Sequence, residues 1–210
     1  MKPSNYEARA IPGVVEIRER EDGGSVVRGV AAVYDSLSEN LGGFRERIVP
    51  GAFEDTNMTD VRALFNHDSN FVLGRTKSDT LRLNRGKTGL EYEIDLPNTR
   101  TIQDLVGEPI RRGDVSQSSF GFIIGGGNDS WDENDDGVLI RTIHAIRELF
   151  DVSPVTFPAY PDTSVGSRSM AAFKEERERV LEEGQAAISD RKKRGEFVER
   201  LLRRAELPRG

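Results

Sequence analysis

The stretch TLRLNRGKTGLEYEIDL, residues 80–96, decides the fold. Leu81 and Leu83 alternate with Arg82 and Asn84, and Leu90, Tyr92 and Ile94 alternate with Glu91, Glu93 and Asp95. A period of two belongs to a strand with one buried face. Gly86 to Gly89 separates the two runs, so the stretch reads as a hairpin.

The pattern repeats outward along the chain. GVVEIRER (13–20) and SVVRGVAAVYD (25–35) flank EDGG, with Asp22-Gly23 expected to supply a positive-φ turn. VRALFNH (61–67), SQSSFGFIIGG (116–126) and GVLIRTIHAIRELFDVSPVTF (137–157) also read as strand. A short helix is expected near Gly51–Phe53. A longer one is expected over 98–114, capped by Asn98 or Thr99, with Ile102, Leu105, Val106 and Ile110 as its apolar stripe. Six or more strands with one or two helices predict an α+β, mostly β fold, a small closed or strongly curved β-barrel with flanking helices. Beyond this region, 170–210 is dense in Glu, Arg and Lys. Its apolar stripe (Val180, Leu181, Ala187, Ile188, Phe197, Val198, Leu201, Leu202) is thin and is broken by Gly184 and Gly195. The expected division is a domain over 1–169 and a charged helical tail over 170–210. That tail is either a solvated appendage or an assembly and targeting segment that orders on a partner.

Composition removes several function classes. A net charge of −6 argues against broad nucleic-acid binding. With no cysteine there are no disulfides, thiolate metal sites or cysteine nucleophiles. No run approaches the length of a membrane span and the N-terminus lacks a signal-peptide core, so a soluble, intracellular protein is expected. Asp132, Asn134, Asp136 and Gly137 open like a calcium loop, but its twelfth position is Ile143 instead of Glu. The glycines at 125–127 are followed by no G-K-[ST]. His67, Asp68 and His144 have no metal-ligand spacing. Neither metal nor cofactor is expected.

What remains is serine chemistry. On an extended strand Ser119 and Gly121 share one face and Phe120 and Phe122 the other. The phenylalanines can anchor the strand, and Gly121 leaves room beside the Ser119 hydroxyl for a substrate carbonyl. Such a hydroxyl needs a base, and His67 is one of only two histidines. The base needs an orienting group, for which Asp151, Glu148 and His144 are the candidates. Residues alone favour a structural His67, since a lone histidine at a strand end is more often structural.

The same segments carry a resemblance. GVAAVYDSLSENLGGFRERIVPGAF, DVRALFNHDSNFVLGRT, LRLNRGKTGLEYEIDLPNT, RRGDVSQSSFGF and RTIHAIRELFDVSPVTFPAYPDTSV, in that order, resemble the tailed-phage (Caudovirus) prohead serine proteases over roughly residues 13–169. That family is similar in fold to the herpesvirus maturation protease, assemblin, which implies a small β-barrel wrapped by helices. The resemblance implies His67 as general base and Ser119 as nucleophile. For the third member the family commonly has an acidic residue in a segment like L-x-E-V-S, a position that Asp151 holds here, so the resemblance favours Asp151, then Glu148, then His144; residues 148 and 151 of a regular strand face opposite sides, so both cannot point at His67. Asp68, next to His67 in a strand, should point away from the imidazole.

Two positions depart from the family pattern. Asp79 stands where glycine is common, and Gln117-Ser118 stands where a small or apolar pair is expected, which makes Ser118 a rival nucleophile. Both are expected near the cleft. The oxyanion donors are expected among backbone N–H groups near 119–121, or at Arg141. By resemblance the substrates and partners are the major capsid protein and its scaffold segment, other internal prohead proteins, and the chain itself. The setting is the assembling prohead in the bacterial host cytoplasm. A homo-oligomer is a further expectation, because assemblin relatives gain activity on dimerising. The rival readings are a catalytically inactive β-barrel assembly module and, more distantly, a metallohydrolase.

Overall fold

The computed structural model describes residues 3, 5–11, 15–157, 168–183 and 185. The chain forms two compact units, Met1–Ser167 and Arg168–Gly210. In the second, 168–183 is helical, with Val180 and Leu181 exposed. The rest of the expected tail stripe, from Ala187 to Leu202, lies outside the described residues.

The first unit is mostly β. Its largest sheet has the order β1 (Glu7–Ile11), β9 (Gln117–Ile123), β12 (Glu148–Val155), β5 (Arg62–Phe65), β6 (Asp68–Arg75). A second sheet runs β2 (Glu16–Glu19), β3 (Ser25–Val33), β8 (Gly89–Leu96), β7 (Leu81–Arg85). A third runs β10 (Asp129–Glu133), β11 (Leu139–Ile143), β4 (Phe44–Ile48). Among the described residues these ladders stay as three open sheets, and no closed barrel is found.

The 80–96 hairpin forms with Leu81 opposite Ile94 and Leu83 opposite Tyr92, and Gly86 N–H closes onto Gly89 O at 2.9 Å. At the expected Asp22-Gly23 turn Gly23 alone of the two takes the positive φ, 81°, while Asp22 Oδ1 accepts the Gly24 N–H at 2.9 Å. The expected helix at Gly51–Phe53 is instead a run of turns. Ala52 N–H bonds Val49 O and Glu54 N–H bonds Gly51 O, and a Gly51 φ of 88° cannot continue a helix.

The 98–114 helix is three short pieces. Thr99 Oγ1 caps it by accepting the Ile102 N–H at 3.4 Å. Then α1 (Arg100–Ile102) gives way to a π turn (Gln103–Gly107) and α2 (Glu108–Arg112). Pro109 has no N–H and its ring crowds the carbonyl four residues back, which the wider turn accommodates. The phase shift buries Val106 and Ile110 but turns Leu105, expected in the stripe, to solvent.

The core face of β9 fixes the site strand. Phe120 and Phe122 are fully buried and stack at 4.7 Å, and Phe53 packs edge-on against Phe120 at 6.0 Å. Each such ring contributes about 1.5–3 kcal/mol by leaving water. Ser118 shares this face and bonds Tyr92 Oη at 2.7 Å. Tyr92 lies directly across from Gly29, where a Cβ would stand 2.3 Å from its hydroxyl oxygen. Ser119 therefore faces the opposite side of the sheet.

Candidate active site

His67 is not in a strand. It occupies the tip of the β5–β6 hairpin, where Phe65 pairs with Asp68. Asn66 and His67 both take left-handed backbone, φ 54° and 57°, the pattern of a two-residue type I′ turn. Asn tolerates that region well, but histidine there must be held in place. The holding comes from the end of β12 and the residue that follows it. Asn66 N–H bonds Pro154 O at 3.1 Å, Asn66 Oδ1 accepts the Thr156 N–H at 2.8 Å, and Asn66 Nδ2 donates to Thr156 Oγ1 at 3.2 Å. The turn is thus stapled to the strand that carries Asp151.

The imidazole bridges two strands. His67 Nε2 and Ser119 Oγ are 2.6 Å apart, and His67 Nδ1 donates to Asp151 Oδ2. Ser153 Oγ adds a bond to Asp151 Oδ2 at 2.9 Å, and Tyr6 Oη donates to Asp151 Oδ1 at 2.8 Å. Burial pushes the Asp151 carboxyl up. Its hydrogen bond from His67, that ring's charge, and the Tyr6 and Ser153 hydroxyls outweigh this and hold it below the usual carboxylate range. Burial and the neighbouring Asp151 push the Tyr6 phenol far up, so it stays a donor. A partly buried imidazole with a carboxylate on Nδ1 and a hydroxyl on Nε2 is equipped to move the hydroxyl proton.

A β-bulge between Leu149 and Asp151 sets which acid reaches His67. It puts Asp151 opposite Gly121 and Ser153 opposite Ser119. The bulge resets the alternation, and Glu148, opposite Ile123, shares that face. The expected opposition of 148 and 151 therefore fails. What separates them is position along the strand. Glu148 lies beyond the bulge and pairs with the Asn57 amide at 3.5 Å. His144 is exposed and its Nε2 bonds Ser130 Oγ at 2.7 Å. Ser118 faces the core, bonded to Tyr92. Asp68 Oδ1 accepts the Asn70 backbone and side-chain N–H groups, both at 2.8 Å.

Other expectations change as well. Gly121 leaves no open space, for a Cβ there would stand 2.1 Å from Tyr6 Oη and 2.5 Å from Asp151 Oδ1. Arg141 spends its donors on Glu7, Glu46 and Asp129 inside a buried ion cluster. β9 is paired along both edges, which commits its backbone N–H groups to the ladders. Asp79, expected near the cleft, ends the 3-10 turn Thr76–Ser78 on the surface. Its φ of 56° is the left-handed conformation that glycine suits. In the acidic loop Asn134 Oδ1 accepts the Asp136 and Val138 N–H groups, forming a turn between β10 and β11. Among the described residues no group of three or more His, Asp or Glu is placed to hold a metal.

Tyr6, Ser153 and Arg9 join the site without having been singled out in the sequence. Ser153 was within reach of sequence reasoning, since it lies two residues from Asp151 on the same strand face. Tyr6 and Arg9 depend on β1 pairing with β9, which no local pattern announces.

No curated protein and no solved structure matches the chain. The family model for the Caudovirus prohead serine protease matches residues 14–176, a span that holds His67, Ser119 and Asp151. Covering most of the sequence, that match means that the chain belongs to the Caudovirus prohead serine protease family.

Proposed function

We propose that the chain is a serine endopeptidase that cleaves the major capsid protein's scaffold segment and other internal prohead proteins during capsid maturation, and that it processes itself. The observation that carries this reading is the 2.6 Å approach of His67 Nε2 to Ser119 Oγ, with Asp151 on the other ring nitrogen. Ser119 attacks the scissile carbonyl while its proton passes to His67 Nε2. The imidazolium, steadied by Asp151, gives that proton to the leaving amine. Water then repeats the cycle on the acyl-enzyme. Ser153 acts as a positioning residue, fixing the carboxylate that orients the ring, and Tyr6 adds a second bond to that carboxylate while β1 is in place.

One observation favours the rival reading of a silent assembly module, which is that Ser119 is 0% exposed. Co-expression with the cognate capsid protein separates the two. Shortened capsid protein should appear with the natural chain and vanish with Ser119→Ala and with His67→Ala. Processing that survives both substitutions would overturn the assignment, and loss of processing on adding a chelator would favour a metallohydrolase.

A further inference from the structure

The burial of Ser119 has an identifiable source. β1 is the edge strand of the largest sheet, and without it β9 would be the edge. β1 runs antiparallel to β9, with Ala8 opposite Gly121 and Ala10 opposite Ser119. The Ser119 hydroxyl lies 2.9 Å from the carbonyl oxygen of Arg9. Of all peptide groups in the described chain, its own Arg9–Ala10 bond is thus the one presented to the nucleophile. The hydroxyl has one proton, and Arg9 O competes for it with His67 Nε2. Tyr6, at the head of the same strand, fills the space over Gly121.

Resting on the protease reading above, we infer that Tyr6–Ile11 occupies the substrate groove. The enzyme then takes an extended polypeptide as an antiparallel strand along β9, which replaces β1. β-strand addition supplies backbone affinity, and alternate side chains supply specificity. The register defines that specificity. Residues at the Ala8 and Ala10 positions face the triad and must be small. The residue at the Arg9 position, whose carbonyl Ser119 meets, faces Glu46. Arg9 itself bonds Glu46 through Nε at 2.8 Å and Nη2 at 2.9 Å, both ends buried. The residue at the Glu7 position faces Arg141 at 2.8 Å. When β1 leaves, Arg141 still has Glu46 at 3.2 Å and Asp129 at 2.7 Å, so no charge is stranded. The groove therefore fits a peptide with a basic residue before the cleaved bond, an acidic residue two positions earlier, and small residues between and after.

Labelling of Ser119 by a fluorophosphonate reads the cover directly. Phosphorus takes the serine oxygen, fluoride leaves, and the hydroxyl proton goes to His67. The full chain should label slowly. Arg9→Pro, which removes a β1 backbone donor that faces β9 together with the side chain that bonds Glu46, should label at least about tenfold faster, because the rate scales with the uncovered fraction. Excess peptide of residues 5–11 (NYEARAI) should return the variant to the slow rate, and NYEAEAI should not. Equal labelling of the natural chain and Arg9→Pro, with Ser119→Ala silent, overturns the inference alone, as does equal protection by the two peptides. Labelling of Ser119 in no form overturns the protease reading with it. Hydrogen exchange on full-length Ser119→Ala tests displacement independently of Arg9→Pro folding. Excess NYEARAI should release the amides of 7–11 while those of 117–123 stay protected. Undiminished protection at 7–11 overturns the inference.

Discussion

Tyr6 and Asp151 meet over Gly121, with the tyrosine hydroxyl donating to Asp151 Oδ1 at 2.8 Å in space that a side chain at 121 would fill. The glycine is thus a requirement of the contact between Tyr6 and Asp151 and leaves no gap beside it. Its Cβ would stand 2.1 Å from Tyr6 Oη and 2.5 Å from Asp151 Oδ1.

Gly121→Ala should therefore be costly twice. The buried Asp151 and Tyr6 must both give way, and overpacking of this kind costs about 1–3 kcal/mol. Displacing the carboxylate also frees the imidazole, so turnover should fall by about 10² or more. Urea unfolding and cleavage rates measured on one preparation check both. A variant as stable and active as the natural chain would show that Tyr6 and Asp151 do not share this space.

Asn66 carries the turn that aims His67. With φ at 54°, Asn66→Ala should lose about 1–2 kcal/mol from the left-handed backbone, and further stability with the two side-chain bonds to Thr156. Asn66→Gly keeps the backbone and loses only the bonds. The order of stability in urea should be Asn, then Gly, then Ala, and turnover should follow it.

How much of this could be read in the sequence depends on whether a feature is periodic or conformational. The hairpins of residues 13–35 and 80–96 were legible because burial on one face imposes a period of two. The core anchors Phe120 and Phe122 followed from the same period. His67 was misplaced in a strand because VRALFNH is one apolar run, and hydrophobicity does not mark where φ changes sign. Asn66 was the available signal, being a residue that tolerates left-handed backbone. Asp151 was favoured by its place in the family's acidic segment, whereas the parity that set Glu148 on the other face is undone by one bulge, and a bulge leaves no periodic trace. The role of Gly121 needed β1, whose pairing with β9 spans more than 100 residues.

Ser118 and Tyr92 form a buried pair on the face away from the triad, 2.7 Å apart. Ser118→Ala leaves the Tyr92 hydroxyl without that partner and should cost about 1–3 kcal/mol, with cleavage by the folded enzyme unchanged. Removing both hydroxyls, in Ser118→Ala with Tyr92→Phe, should cost less than the sum of the single changes. A double-mutant cycle in urea measures the coupling. A cleavage-dead Ser118→Ala that still folds would make Ser118 the nucleophile.

Asp151→Asn separates the catalytic role proposed for this acid from its structural one by pH. The native carboxyl lies below the usual carboxylate range, so folding is stabilised wherever the unfolded carboxyl would already be ionised, above about pH 4. That contribution is lost as pH falls from there through the depressed native value, where the native state must take up a proton. The stability gap between the natural chain and Asp151→Asn should therefore be constant through neutral pH and shrink below about pH 4. Turnover at neutral pH should fall by about 10⁴, because an amide in this place holds the imidazole in the wrong tautomer. Urea titrations across pH, paired with capsid-protein cleavage at neutral pH, give the two readouts. A gap that widens toward acid would reverse the sign and show that Asp151 is protonated in the folded enzyme.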